Sequence, residues 1–409
     1  MLGLKYRIYP SRVQQQRLIA SLRLCRELRN HLLQFCKDGY RAAKEKGERF
    51  FPTAFTMNYE VTRFKKEHPE YDCVWAQTLQ GVSNHLGSAY SSFFRRVKER
   101  QKGSKAKVGF PRFKKKLYSL LYPGAYGTGY RLENYKILKV SKIGRIPIKL
   151  DRAPKGNIKA MVISKDGNRW YASFSTDHCK TMDKIAEKRT PVGIDLGIES
   201  FATLSDGSKV ANPKFYKKAQ WRIRMLQRRL SKKKKGSHNR KKAGMKLWRA
   251  HQRVEDLRKD FIHKATTDLV RKHNTIAMEN LKIGNMLHNH YLAGSIADAG
   301  WGMFKTCLDY KAESAGSQVI YVDPKNTSQF CSCCGKVLER KLKLDQREFR
   351  CPCGYVEDRD INAAKNILAI ATLGQRENQA RGEMPYTLGN QSQEQDIPVK
   401  QELYGGESG

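Results

Sequence analysis

The sequence lacks long apolar runs, and this excludes one class of protein at once. No stretch of the 409 residues stays apolar over the ~20 positions that a membrane-spanning helix needs. The opening segment "MLGLKYRIYPSRVQQQ" also lacks the apolar core of a signal peptide. We therefore expect a cytoplasmic protein without a membrane partner.

Acidic residues are scarce as well. The chain has 39 Asp and Glu against 79 Lys and Arg, a formal net charge of +40 at pH 7. Such an excess makes a folded protein repel itself unless a polyanion neutralises it. Nucleic acid fits best, because each phosphate contact also releases condensed counterions. A generically basic soluble protein is the less favoured interpretation.

The N-terminal half is predicted to contain strands that are divided by a helical insert. "LKYRIYP" alternates apolar and polar residues like a strand, and Ser11 with Gln14 then gives the capping-box signal of a helix. Short strands return after residue 117, with Gly167 and Asn168 as a hairpin turn. We predict a small antiparallel barrel or sheet from residues 1–10 and 116–188, divided by a helical insert at 11–115.

The insert ends in "GSKAKVGFPRFKKK", where two phenylalanines lie within a dense basic run. Aromatic and cationic side chains together suit bases and phosphates, whereas a solvated loop is the plain alternative. We predict nucleic-acid contacts from five cations of this segment: Lys105, Lys107, Arg112, Lys114 and Lys115.

Three carboxylates in the C-terminal half stand where apolar elements end or begin. Asp195 follows "VGI", Glu279 follows "IAM", and Asp360 opens the helical stretch "INAAKNIL". Open α/β sheets build their sites at such strand ends. If the three converge, Mg²⁺ would relieve their repulsion, and two ions about 4 Å apart could support phosphodiester hydrolysis. The alternative is an N-cap for Asp360 and ordinary strand-end roles for the other two.

Cysteines crowd into a short segment that we predict to be a zinc-binding insertion at residues 331–354. Cys331 and Cys334 form C-x2-C, and Cys351 and Cys353 form C-x-C. Two such pairs around a polar hairpin are typical of a structural Zn²⁺ site with no open position for catalysis. The tight second pair and the extra Cys333 leave the fourth ligand open.

Two charged or polar segments complete the sequence. "SKKKKGSHNRKK", residues 231–242, lies between two helical stretches and is predicted to stay unpacked, at the tip of a helical hairpin that could follow a phosphate backbone. Residues 375–409 lack periodicity and are predicted to be disordered. The remaining ranges, 189–330 and 355–374, are assigned to one mixed α/β domain.

The order of short motifs resembles that of TnpB, the transposon-encoded RNA-guided DNA endonuclease. The motifs are "GIDLG", "MENL", "AGWGMF", "VDPKNTSQFCSCCG", "CPCG" and "DRDINAAKNI", with "YRIYPSRVQQQRL" and "FPRFK" nearer the N-terminus. The resemblance covers roughly residues 3 to 372 and implies a RuvC-like nuclease domain of RNase H fold. Its catalytic triad would be Asp195, Glu279 and Asp360. The family pattern D-x-N-A-A-x-N-I favours Asp360 over the competing Asp358.

The resemblance also implies partners. It implies a wedge-type β-barrel split by a helical recognition domain, a transposon-end guide RNA, a DNA target, Mg²⁺ (two ions) and one structural Zn²⁺. By analogy with other guided nucleases, base pairing reads the target while the protein reads a short adjacent motif. Gln77 and Gln80 are the candidates for that contact, because glutamine can bond adenine edges bidentately. A monomer, held at the nucleoid of a prokaryote through DNA, is expected.

Three other functions remain open at this point. One is a compact type V CRISPR effector with an array-derived guide. Another is a guide-RNA-dependent DNA-binding protein without cleavage, for which loss of a carboxylate would be the signature. The third is a transposon accessory protein that binds nucleic acid without catalysis.

Overall fold

The structure is a computed structural model that describes residues 2–48, 50–104, 107–124, 126–154, 156–177, 189–338, 342 and 346–380. The predicted contact residue Lys105 and the tail from 381 onward lie outside the described residues. The chain divides into two compact units, Met1–Lys180 and Thr181–Gly409.

Among its described residues, the first unit has seven strands and three long helices. In chain order they are β1 (Leu2–Ile8), α1 (Arg12–Glu45), α2 (Ala54–Glu67), a 3₁₀ turn (Pro69–Cys73), α3 (Ala76–Gln101), β2 (Ser119–Pro123), β3 (Tyr130–Glu133), β4 (Ile137–Val140), β5 (Gly144–Lys149), β6 (Ile158–Asp166) and β7 (Arg169–Thr176).

The strands form one antiparallel sheet in the order β2-β6-β7-β1-β5-β4-β3. The N-terminal strand therefore completes the sheet, as predicted, because β1 pairs with both β5 and β7. The hairpin between β6 and β7 turns at Gly167, whose φ of 53° is left-handed. No pairing joins the outer strands β2 and β3 among the described residues, so the strands form an open sheet there.

The helical insert packs on this sheet through one continuous apolar core. The predicted capping box is confirmed, since Ser11 Oγ accepts from Gln14 N–H at 3.3 Å and Gln14 Oε1 accepts from Ser11 N–H at 2.9 Å. Gln14 Nε2 also donates to the carbonyl of Arg145 at 2.7 Å, which ties the start of α1 to β5.

The second unit alternates strands with helices. Its elements are β8 (Thr190–Asp195), β9 (Ser200–Leu204), β10 (Lys209–Ala211), α4 (Phe215–Ser231), α5 (His238–Lys272), β11 (His273–Glu279), α6 (Ile283–Met286), α7 (Ala293–Ala299), α8 (Trp301–Ala315), β12 (Gln318–Val322), β13 (Glu348–Arg350), β14 (Val356–Asp358) and α9 (Arg359–Ala380).

Five of these strands form a mixed sheet in the order β10-β9-β8-β11-β12. Strand β11 is parallel to both β8 and β12, whereas β9 is antiparallel to its neighbours. Helix α9 packs on this sheet through Ile367 and Ala371, which share an apolar cluster with β11 and β12. Helices α5, α7 and α8 bury a separate, larger cluster against the sheet. The prediction of a mixed α/β chain is confirmed.

Two predicted boundaries differ from the structure. Helix α5 begins at His238, inside the charged segment expected to be unpacked, because Ser237 Oγ accepts from Arg240 N–H at 3.1 Å and caps it. The Arg240 guanidinium also donates to the carbonyls of Leu230 and Lys233, which closes the turn. Helix α9 continues to Ala380, past the predicted start of the tail.

In the part of the chain described here, no helix is both long and apolar enough to cross a membrane.

Candidate active site and metal cluster

Asp195 and Glu279 end two neighbouring parallel strands. Asp195 is the last residue of β8 and Glu279 the last of β11. Ile194 and Met278, the residues just before them, are paired in the sheet. Both carboxylates therefore leave the sheet at the same edge, a point that the sequence had left open.

Asp360 reaches this edge from the first turn of α9, which packs against β8 and β11. The close approach requires glycine at position 193 in β8. A Cβ there would lie 2.0 Å from the carbonyl oxygen of Ala364 and 2.9 Å from the backbone nitrogen of Leu368. Gly193 thus lets α9 lie directly on the strand that carries Asp195.

The electrostatic environment of Asp195 includes the other two carboxylates. Partial burial raises the pKa of Asp195 to about 7, with further contributions from the charges of Glu279 and Asp360; Arg359 and the Leu196 N–H act in the opposite direction. Burial also raises the pKa of Glu279, against a hydrogen bond from Thr327. A cation at this edge would be favoured by both groups.

Their oxygen atoms are nevertheless spread out. Among the described residues, the cysteines discussed below are the one group of three or more acidic, histidine or cysteine side chains whose ligand atoms all lie within 4.8 Å of one another. Asp360 instead has a protein cation nearby, since Arg347 Nη1 lies 3.8 Å from Asp360 Oδ2. The same guanidinium pairs with Glu199 at 2.5 Å.

Asp358, the competitor for the last carboxylate position, has a different environment. Its Oδ1 accepts from the backbone N–H groups of Asp360 at 2.9 Å and Ile361 at 3.2 Å, which is how a side chain caps a helix start. Its Oδ2 pairs with Lys209 Nζ at 2.7 Å. Burial would raise the pKa of Asp358, but these hydrogen bonds lower it overall. The N-cap considered for Asp360 is thus supplied by Asp358.

A buried hydrogen-bond network links Glu279 to α9, and the sequence did not reveal it. The Thr327 hydroxyl donates to Glu279 Oε1. Asn366 Nδ2 donates to the carbonyls of Thr327 at 2.9 Å and Phe330 at 2.7 Å. Asn362, one turn earlier, donates to the Phe330 carbonyl at 2.7 Å. The i, i+4 spacing of the two asparagines was visible in the sequence, but the fold was needed to show what they bind.

The predicted cysteines form a cluster that could hold a zinc ion. The ligand atoms of Cys331, Cys334, Cys351 and Cys353 all lie within 4.8 Å of one another. Cys331 and Cys353 Sγ are 3.8 Å apart, and Cys334 and Cys351 Sγ are 3.6 Å apart. Tetrahedral zinc with Zn–S distances of about 2.3 Å separates its sulfurs by about 3.8 Å, so the donor set fits Zn²⁺.

The tight C-x-C pair is accommodated by a turn. The N–H of Gly354 donates to the carbonyl of Cys351 at 3.0 Å, and Gly354 adopts a φ of 89°. Cys333 is exposed and does not belong to the cluster. The cluster is joined to α9, because Ser332 N–H donates to Asn362 Oδ1 at 2.9 Å.

In the first unit, Gln77 and Gln80 are both exposed on the first turns of α3. Their i, i+3 spacing places them on one face. The neighbouring α2, which the sequence analysis missed, also exposes Phe55 and Tyr59, at 83% and 76%.

The predicted basic segment is held along α1 by its backbone. Arg29 donates to the carbonyl of Arg112 at 2.8 Å, and Asn30 exchanges hydrogen bonds with the backbone of Lys114 at 2.9 and 3.0 Å. The side chains of Lys107, Arg112, Lys114 and Lys115 are exposed. Arg112 and Lys114 are therefore presented from backbone that is hydrogen-bonded to α1.

Comparisons with known proteins agree with this architecture. The family OrfB_IS605, described as "probable transposase", matches residues 174–290, and the Cas12f1-like TNB domain matches residues 301–367. Among solved structures, the cryo-EM structure of a Cas12f1–sgRNA–target DNA complex matches with a TM-score of 0.55 at 17% identity, covering 87% of this chain and 82% of that chain.

Two curated relatives are similar over most of their length. A Streptomyces pristinaespiralis protein, provisionally named an RNA-guided DNA endonuclease, is 34% identical over 371 residues, covering 89% of this chain and 88% of that protein. InsQ of Escherichia coli K12, named in the same way, is 30% identical over 388 residues, covering 89% of this chain and 91% of InsQ. The chain therefore belongs to the TnpB family of RNA-guided DNA endonucleases.

Proposed function

We propose that this protein is an RNA-guided DNA endonuclease that hydrolyses phosphodiester bonds at Asp195, Glu279 and Asp360. The observation that carries the proposal is that Asp195 and Glu279 end two paired parallel strands, while Asp360 lies in the first turn of the helix that packs on both. Burial and the charges of Glu279 and Asp360 raise the pKa of Asp195, in agreement with this placement. Carboxylates that share a partly buried edge of a sheet, in a chain of net charge +40, suit a metal-dependent reaction on a polyanion.

The three carboxylates would hold two Mg²⁺ ions. Bound there, the ions would activate a water and stabilise the leaving oxygen. Thr327 holds Glu279 through Oε1, which leaves Oε2 available as a ligand. Asp358 caps α9 and so fixes the start of the helix that carries Asp360. Arg347, beside Asp360, is placed to contact a phosphate that enters the site.

The domain assignment follows the same reasoning. The sheet order, with β8, β11 and β12 parallel and β9 antiparallel, supports a RuvC-like domain of RNase H fold at residues 189–330 and 355–374. The cysteine insertion at 331–354 would carry one structural Zn²⁺. The sheet of the first unit would be the wedge-type domain, and residues 11–115 would be the recognition domain.

The proposed partners are a guide RNA from the transposon end and a DNA target. Gln77 and Gln80 would contact the short motif beside the target, and the exposed cations of 107–115 would contact nucleic-acid backbone. We expect a monomer to bind one guide.

The test is to purify the protein from cells that carry its native locus and to sequence the RNA that copurifies. One dominant RNA from the flank of the gene, together with Mg²⁺-dependent cleavage of a matching target, would support the proposal. A repeat-derived RNA would instead indicate a CRISPR effector. A random RNA mixture without guided cleavage would contradict both.

A further inference from the structure

Helix α4 exposes a row of cations around one tryptophan. Its outward side carries the basic stripe, which we define as Lys217, Trp221, Arg224, Arg228 and Lys232. Their spacing of three or four residues places all five on one face of the helix. Trp221 is 75% exposed, an unusual position for so large an apolar side chain.

The opposite face of α4 packs against α5, so the helix is held without contacts from the stripe. Ile223 is fully buried and packs with Leu247 and Val254 of α5. The stripe is therefore not needed to hold the helix in place. Its tryptophan lines a shallow groove together with the rest of the stripe, Gln220, Met225 and Arg229.

The stripe has no acidic neighbours in the sequence around it. No Asp or Glu occurs between Asp206 and Glu255. One acid that meets α4, Asp298, accepts from the N–H groups of Tyr216 and Lys217 and is paired with Arg258 at 2.9 Å. The positive potential of the stripe thus remains available to an external anion.

The helix that carries the stripe begins on the side of the sheet where β8 ends at Asp195. Strand β10 ends beside Ser200, where β9 begins and β8 has just ended at Asp195. Asn212, between β10 and α4, donates to the carbonyl of Ile198 at 2.8 Å. From Lys217 to Lys232, the C-cap of α4, the stripe spans fifteen residue steps, about 22 Å.

We propose that the basic stripe binds the single-stranded DNA that leads into the carboxylate site, with a base stacked on Trp221 and phosphates on Arg224 and Arg228. This rests on the proposed function, because it is that function that supplies a strand to be cut. Stacking on the indole requires an unpaired base, and cations at regular spacing follow a backbone without reading its sequence. The occupant is therefore a single strand rather than a duplex.

The test uses the full-length protein loaded with its guide RNA, in EDTA so that no strand is cut. Binding of a short labelled oligodeoxythymidine is measured by anisotropy over a range of salt concentrations. Trp221→Ala should weaken binding about 5- to 100-fold, whereas Trp221→Tyr should restore most of it. Arg224→Gln with Arg228→Gln should reduce the salt slope by roughly 0.7 for each lost phosphate contact.

Matched controls lie outside the stripe in the same unit. Tyr291→Ala removes another exposed aromatic side chain, and Arg271→Gln another exposed cation. Both should leave the affinity and the salt slope unchanged. Photocrosslinking of a strand that carries iododeoxyuridine should label Trp221.

Two results would overturn the inference. One is wild-type affinity and salt slope in the stripe variants. The other is loss of the guide RNA from those variants, which would make the stripe an RNA surface. Failure of the proposed function is separate, since it would appear as a wild-type complex that does not cleave its guided target in Mg²⁺.

Discussion

The hydroxyl of Thr327 donates a hydrogen bond to Glu279 Oε1, while the backbone carbonyl of Thr327 accepts one from Asn366 of α9. Thr327 is 3% exposed, so water does not compete for these contacts. The strand-end carboxylate is thereby connected to the helix that carries Asp360. The arrangement explains how acids far apart in sequence are held at one edge of a sheet.

Replacing Thr327 should weaken the binding of Mg²⁺ at the carboxylate site. Thr327→Val keeps the shape but removes the donor, so Glu279 loses its orienting partner. We expect the apparent affinity for Mg²⁺ to fall roughly 10- to 100-fold, as for other partners of metal ligands. Calorimetric titration with Mn²⁺ measures this without requiring cleavage, and Thr327→Ser should restore it. Equal metal binding by the valine variant would show that Glu279 does not depend on Thr327.

Alanine substitutions at Asp358 and Asp360 should have different effects on stability and on cleavage. Asp358→Ala removes a helix cap and should lower the free energy of unfolding by about 0.5–2 kcal/mol while guided cleavage remains. Asp360→Ala removes a proposed metal ligand and should abolish cleavage with little effect on stability. Denaturant unfolding and a cleavage assay on both variants distinguish them. The reverse pattern would assign the catalytic role to Asp358.

Replacing a cysteine of the cluster should have a different effect from replacing Cys333, which lies outside it. Cys351→Ser should lose zinc and stability, because metal binding contributes folding free energy at a structural site. Cys333→Ser, outside the cluster, should keep one zinc ion per chain. Metal analysis of the purified variants checks this. Wild-type protein without zinc would remove the assignment.

Asp195 should make the metal-free protein less stable as the pH rises. Its pKa is raised to about 7, so the folded chain binds this proton more tightly than the unfolded chain does. The resulting stabilisation is present at low pH and is lost between about pH 4 and pH 7, on the order of 2–4 kcal/mol. Asp195→Asn should lack this loss in EDTA, whereas the exposed control Asp260→Asn should retain it. The free energy of unfolding is measured against pH for each protein. The same pH dependence in wild type and Asp195→Asn would contradict the shared carboxylate environment.

The sequence predicted what local patterns determine. Asp195 and Glu279 follow short apolar strands, and Ser11 with Gln14 gave the start of α1 correctly. The cysteine spacing likewise gave the cluster, because knuckle ligands lie close together in the chain.

The features that could not be predicted from the sequence depend on contacts between residues far apart in the chain. Helix α2 was overlooked because its buried face carries Glu60, which breaks the apolar period and is paired with His31 at 2.7 Å and Arg63 at 3.0 Å. Thr327 stood in the motif "VDPKNTSQFCSCCG", but its role was not predicted, since a threonine acquires that role only when β11 and α9 are packed together. Gly193 stood in the motif "GIDLG", but the reason for a glycine there appears only when Ala364 lies against it.

The most direct test of the account compares guided cleavage by wild-type protein and Glu279→Ala, each loaded with the copurified RNA. We predict that the wild type cuts a matching target in Mg²⁺, and that Glu279→Ala binds the same RNA but leaves the DNA intact. Cleavage at the wild-type rate by Glu279→Ala would show that the bond is broken elsewhere and would contradict the carboxylate site.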